Sequence, residues 1–388
     1  MDVGGQPSMA PFTGSVPWCP MPRAGERVTV TEAHMTGTTD AGEALHAPCS
    51  GPSVWQGGDL ANREEWILRF SSHQLAEIDS ALREARRRDL TLLKLRAADF
   101  PLPTLAGELE RVGEVLEHGR GFALIKGIPV EQLGQVAAGA VFWGLGQYLG
   151  RPVPQNADGH MLGHVRGTGR SLADPATRGY QTRAALPFHT DGADLLALLP
   201  LRTPRTGGRT SLVSSAAVHN AVQSLRPDLA ERLYRTYFFD RRQEHPPEEA
   251  PYVAAPLAAR PGGALSMRYN RCYLESAQRF PQVPRLEPAD VELFDLIDEV
   301  AASPEFRLDI DLQAGDLLLL NSHRIMHARS EFEDDCRPEL RRHLLRLWLA
   351  FPHRPRIDGA RNGVTPRDVI RPRSAASRAA TNSRRLPT

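Results

Sequence analysis

The chain has 388 residues, 41% hydrophobic and 24% charged, with a formal net charge of +1. That length allows one large domain or two ordinary ones. The charge balance creates no overall field to draw the protein to nucleic acid or a membrane surface, and no apolar run approaches the roughly 20 residues that span a bilayer.

The four cysteines, Cys19, Cys49, Cys272 and Cys336, are scattered with no CxxC pair, which argues against a zinc ribbon or a disulfide framework. The opening MDVGGQPSMAPFTG has neither a basic n-region nor an apolar h-region, so no secretory signal is expected. A reducing cytoplasm is the expected compartment. Residues 1–60 are rich in Gly, Pro, Ser and Thr without a sustained hydrophobic period, and predict a flexible N-terminal arm. Residues 356–388 end in RPRSAASRAATNSRRLPT, a basic low-complexity tail expected to be solvated rather than to bind nucleic acid. The working domain is expected between them, over 61–355.

Within that span, Leu75, Ile78, Leu82 and Ala85 recur at helical spacing, as do Leu105, Leu109, Val112 and Leu116, with Gly119 as a stop. GFALIKG predicts a strand, and 132–149 another helix. From Phe188 onward strands dominate. DLLALLPL is an apolar strand. GGRTSLVSS joins a glycine turn to a short strand. FRLDIDL alternates Phe306, Leu308, Ile310 and Leu312 with polar residues. After the turn QAGD, LLLLNSHRIMHARS and RRHLLRLWLAF read as two long strands, and helices are expected near 216–225 and 288–301. Many strands with helices before and between them predict a mainly β chain with helical decoration around a jelly roll (double-stranded β-helix) core.

The stretch LPFHTDGADLL sets His189 and Asp191 among apolar neighbours. An ionisable group buried without a partner is costly. Residues two apart on a strand share a face, so His-x-Asp offers one nitrogen and one carboxylate oxygen side by side, as two corners of a metal site. An internal His–Asp hydrogen bond would explain the tripeptide alone. His323 and His327, four apart on the expected strand, are both candidates for a third ligand. Further on, Arg342, Leu344, Arg346 and Trp348 share one strand face. A buried arginine there needs an anion, and its fork suits a carboxylate. A buried Arg–Asp pair, or heads reaching water at a sheet edge, are the alternatives.

Taken as a set, FHTDGAD, TGGRTSLVSS, GDLLLLNSHRIMHARSEFEDD and RRHLLRLWLAFP resemble the taurine dioxygenase-like (clavaminate synthase-like) Fe(II)/2-oxoglutarate-dependent oxygenases over roughly residues 121–352. The resemblance implies that His189, Asp191 and His327 bind Fe(II), His327 rather than His323 because the family pattern puts Asn321 six residues before the distal histidine. It implies that Arg342 and Thr210 hold the distal carboxylate of 2-oxoglutarate, the co-substrate oxidised by O2, and that Arg346 meets an acidic group of a small-molecule substrate. Gln155, Asn156, Tyr269 and Arg271 fall where relatives make substrate contacts. Arg183 stands where many relatives carry a small amide. The implied function is hydroxylation of a small organic molecule with release of succinate and CO2. Desaturation, epimerisation, cyclisation or halogenation at the same iron, a non-catalytic ligand-binding jelly roll, and a metal-dependent hydrolase are the rivals.

Overall fold

A computed structural model describes residues 47–351 apart from 172, 173 and 175. Residues 1–46 of the expected arm, and the expected tail over 356–388, lie outside the described residues.

In chain order the first strands are β1 (Ile67–Arg69), β2 (Phe122–Lys126), β3 (Arg151–Pro152), β4 (Leu162–Val165), β5 (Leu186–His189) and β6 (Leu195–Arg202). Next come β7 (Thr206–Gly207), β8 (Thr210–Ser214), β9 (Thr236–Asp240), β10 (Tyr252–Pro256), β11 (Ala258–Ala259) and β12 (Ser266–Met267). The last are β13 (Leu308–Ile310), β14 (Leu317–Asn321), β15 (Ile325–Arg329), β16 (Phe332–Glu333) and β17 (His343–Ala350). The helices are α1 (Gly57–Leu60), α2 (Ser72–Arg87), α3 (Leu105–Glu117), α4 (Val130–Leu149), α5 (Ser215–Leu225), α6 (Pro227–Ala230), α7 (Arg271–Ser276) and α8 (Pro288–Ala302).

Two sheets form the inner layers. The larger runs β1-β2-β14-β6-β17-β3, with β4 also on β17; the smaller runs β13-β8-β15-β5. Their facing sides share one apolar cluster. Phe122, Leu196, Leu318, Leu344 and Trp348 come from the larger sheet, and Leu212, Leu308, Ile310 and Ile325 from the smaller. The opposite face of the larger sheet, including Leu345, Leu347 and Leu349, packs on α2, α3 and α4. The outer face of the smaller sheet, with Val213, Met326 and Ala328, packs on α5 and α8.

Local rules account for the helices. α2 opens with a capping box, in which Gln74 N–H donates to Ser71 Oγ and Ser71 N–H to Gln74 Oε1. In α3 the residues at helical spacing, Leu105, Leu109, Val112 and Leu116, are the buried ones. Among the described residues no helix is long and apolar enough to cross a membrane.

Two expectations change. Residues 47–60 belong to the packed body, not to an arm. Trp55 is 8% exposed, stacks 5.1 Å from Phe122 and donates to the Arg120 carbonyl at 3.0 Å. At Gly57 a Cβ would sit 1.9 Å from the Arg307 carbonyl oxygen, so only glycine allows this approach. Polar composition hid Trp55, and Trp66 beyond the segment holds its end by donating to the Leu60 carbonyl at 3.1 Å. LLLLNSHRIMHARS is also not one strand. It is β14 and β15, which lie in different sheets, joined by a turn over 322–324. Asn321 makes that turn: its Oδ1 accepts from His323 N–H at 3.0 Å and its Nδ2 donates to the Leu116 carbonyl at 2.9 Å. His323 and His327 therefore do not share a strand face.

Candidate metal centre

β5 and β15 are antiparallel neighbours, and their register sets His189 directly opposite His327. The two rings are 4.3 Å apart between centres. Asp191 lies two residues beyond His189, past the end of β5. One ligand atom from each of His189, Asp191 and His327 lies within 4.8 Å of the others. Cross-strand pairing thus brings in the third ligand that sequence spacing left open between two histidines.

The geometry prepares these groups for a cation. His189 Nδ1 donates to the Pro187 carbonyl at 2.8 Å, which leaves Nε2 bare as a ligand atom. Asp191 Oδ2 accepts from Trp348 Nε1 at 3.0 Å and lies 3.9 Å from Arg346 Nη1. Burial pushes His327 down to about 3, with His189 adding to the effect, and burial likewise lowers His189. Both imidazoles are therefore neutral near pH 7. Burial opposes the charge on Asp191, but Arg346, His327, His189 and the Trp348 N–H outweigh it and hold the carboxyl down to about 2. Two neutral imidazoles and one ionised carboxylate form the donor set of a non-haem Fe(II) site.

Two arginines of the β17 segment are nearly buried. Arg342, just before β17, is 5% exposed; its Nη1 is buried with no hydrogen-bond partner, and its guanidinium stacks 4.8 Å from the Phe332 ring centre. Burial lowers its pKa to about 10, so it remains cationic. Thr210, 4% exposed, opens β8 beside β15. A buried cationic N–H without an acceptor is the mark of a missing anion, so this cradle fits the distal carboxylate of 2-oxoglutarate. Arg346, 6% exposed, stacks on Tyr180 and Trp348 at 4.6 and 4.8 Å, and Gln155 Oε1 accepts from its Nε at 2.7 Å. Gln155 is itself held by the Met161 and Arg346 carbonyls, so it braces Arg346.

Three of the sequence candidates spend their side chains on local contacts, although the Tyr269 backbone bonds Thr190, between the ligands His189 and Asp191. Tyr269 OH donates to Asp298 Oδ1 at 2.8 Å, with the Phe294 carbonyl at 3.2 Å as the alternative acceptor, inside the cluster behind the smaller sheet. Arg271 is committed to Glu275, Asp295 and Asp298. Asn156 closes a turn on His160, accepting from its N–H at 3.0 Å. Their polar groups are taken up by these local contacts. His323, the rejected ligand, bonds Asp194 at 2.8 Å and Ser266 at 2.7 Å.

Sequence reasoning passed over Trp348, Arg178 and Tyr180. Arg178 pairs with Glu244, and its guanidinium lies 5.7 Å from the Tyr273 ring and 6.0 Å from Trp348. Trp348 alone had a signal, the shared strand face with Arg346. Arg178 lies on a loop with no periodicity to read.

Residues 86–348 match the family described as "Taurine catabolism dioxygenase TauD, TfdA family". The chain is 32% identical over 313 residues to FR-33289 synthase of Streptomyces rubellomurinus (strain ATCC 31215), an alignment covering 79% of this chain and 91% of that one. It is 28% identical over 302 residues to the taurine hydroxylase-like protein SAT17 of Stachybotrys chartarum (strain CBS 109288 / IBT 7711), covering 76% and 77%. Its fold is similar to that of asparagine oxygenase in complex with Fe(II), 2S,3S-3-hydroxyasparagine and succinate, with a TM-score of 0.58 at 15% identity over 74% of this chain and 94% of that chain. The chain belongs to the TauD/TfdA family. It is an Fe(II)/2-oxoglutarate-dependent dioxygenase.

Proposed function

We propose that the protein hydroxylates a small molecule bearing an anionic group. His189, Asp191 and His327 hold Fe(II), Arg342 and Thr210 hold the distal carboxylate of 2-oxoglutarate, and Arg346 receives the substrate anion. The observation that carries this reading is the pair of nearly buried arginines, Arg342 at 5% and Arg346 at 6% exposed, just before and on the strand whose Trp348 braces Asp191. One has an orphaned N–H; the other lies 3.9 Å from a ligand carboxylate.

Bound there, iron and 2-oxoglutarate supply the oxidation: O2 gives one oxygen atom to succinate, formed with loss of CO2, and one to a substrate C–H bond. The chain supplies placement. Trp348 fixes the Asp191 carboxylate. Gln155 fixes Arg346, whose Nη groups make no hydrogen bond within the described residues and face the aromatic walls of Tyr180 and Trp348. Arg178 adds a second cation on that side. A carboxylate, phosphate or sulfonate meets this chemistry. Asp191 favours oxygen over halogen insertion, because related halogenases carry a small non-ligating residue there.

The two facing sheets support a double-stranded β-helix core for a domain spanning the described residues. The free thiols of Cys49 and Cys336 support a reducing, cytoplasmic setting. The test is purified protein with Fe(II), 2-oxoglutarate and a library of small carboxylates, phosphates and sulfonates, read by substrate-dependent succinate and by product mass under labelled O2. A product gaining one labelled oxygen is expected. A product two mass units lighter and unlabelled would replace hydroxylation with desaturation. Failure of Arg342→Ala to weaken 2-oxoglutarate binding would overturn the cradle.

A further inference from the structure

A second buried guanidinium stands beside Thr210. Arg329 is 6% exposed and follows His327 by two residues on β15, so the two side chains take the same face. The register sets Arg329 opposite Thr210 on β8. Its guanidinium lies 4.8 Å from the Phe332 ring centre, as does that of Arg342. One end of it is occupied: Nη2 donates to the carbonyls of Thr182, at 3.1 Å, and Ala184. The other end is not. Arg329 Nε and Nη1 are both buried without a partner, and so is Arg342 Nη1.

A strut for the 182–184 segment would account for Nη2 alone. It leaves two buried cationic N–H groups unexplained, next to a third. A carboxylate, with about four lone-pair sites on two oxygens, can serve all three and a threonine hydroxyl as well. We propose that Arg329 is a second guanidinium for the distal carboxylate of 2-oxoglutarate, sharing it with Arg342 and Thr210. The inference rests on the functional reading above. Through Nη2 the same side chain holds the segment that leads into β5 and His189, so the co-substrate tail and a metal-ligand strand meet on one residue.

The test compares 2-oxoglutarate with 2-oxovalerate, which has the same carbon chain but no distal carboxylate. Dissociation constants are measured for both on the Fe(II)-loaded full chain without oxygen, from the visible band of the chelate. The wild type prefers 2-oxoglutarate. In Arg329→Gln that preference falls tenfold or more, while 2-oxovalerate binding stays within about twofold. Arg329→Lys, which keeps a cation and a donor for the carbonyls, guards against failure to fold and gives an intermediate loss. An unchanged preference in the folded Lys variant overturns the proposal. A parallel loss for both acids also overturns it and leaves Arg329 as a strut. A wild type with no preference for 2-oxoglutarate refutes the underlying functional reading instead.

Discussion

The Trp348 indole donates its Nε1–H to Asp191 Oδ2 at 3.0 Å, joining residues 157 apart in sequence. The bond fixes which carboxylate oxygen remains for a metal. Trp348→Phe keeps the ring and removes the bond. Fe(II) affinity is expected to fall about ten- to a hundredfold, measured by anaerobic iron titration. Retention of full affinity would make the indole a wall only.

His323 and His327 are expected to separate cleanly. His327→Ala loses iron. His323→Ala keeps iron but breaks the bonds to Asp194 and Ser266, at a cost of about 2 kcal/mol in stability. Metal content and chemical denaturation on both variants decide it. The reverse pattern would reassign the ligand.

Residues 47–60 behave as core. Trp55→Ala is expected to cost about 3–5 kcal/mol, and Gly57→Ala about 1–3 kcal/mol, through its clash with Arg307. Changes within about 0.5 kcal/mol, typical of exposed sites, would return the segment to the arm.

Acid weakens the fold through His343. Its Nε2 lies 2.9 Å from His164 Nδ1, and its Nδ1 lies 3.2 Å from Arg202 Nη2. Burial, then His164, Arg202 and Arg166, lowers its pKa to about 4. The unfolded imidazole titrates near 6.5. Between those values the unfolded chain binds the extra proton, so stability falls as pH drops, by up to about 1.4 kcal/mol per pH unit for this group. His343→Gln is expected to flatten the unfolding profile of the metal-free protein between pH 6.5 and 4. An unaltered slope would assign the loss to other groups.

The residues that announce the site are those with period-two patterning. Arg346 could be placed on a strand face because leucines alternate around it, while His189, Asp191 and Arg342 sit where β5 ends and β17 begins. His327 needed the family pattern, since both histidines lie in an apolar stretch without glycine or proline, and the break at Asn321 is made by side-chain hydrogen bonds that carry no local period. Position along the chain said nothing of α8, whose Asp295 and Asp298 engage the Tyr269 and Arg271 side chains. Arg329 was visible in HARS, but its significance rests on vacant N–H groups that only coordinates reveal.

β17 sorts its work by parity. Leu345, Leu347 and Leu349 weld the sheet to the helices behind it; Leu344, Arg346 and Trp348 look toward the chemistry. Substitutions on one set tune robustness and on the other tune selectivity, with little crosstalk. A deletion of one residue within 343–350 is another matter. It would exchange the sets, driving a guanidinium into the greasy layer and a leucine against Asp191. Diversification along this strand must therefore proceed by replacement, while changes of length are left to the loops at its ends.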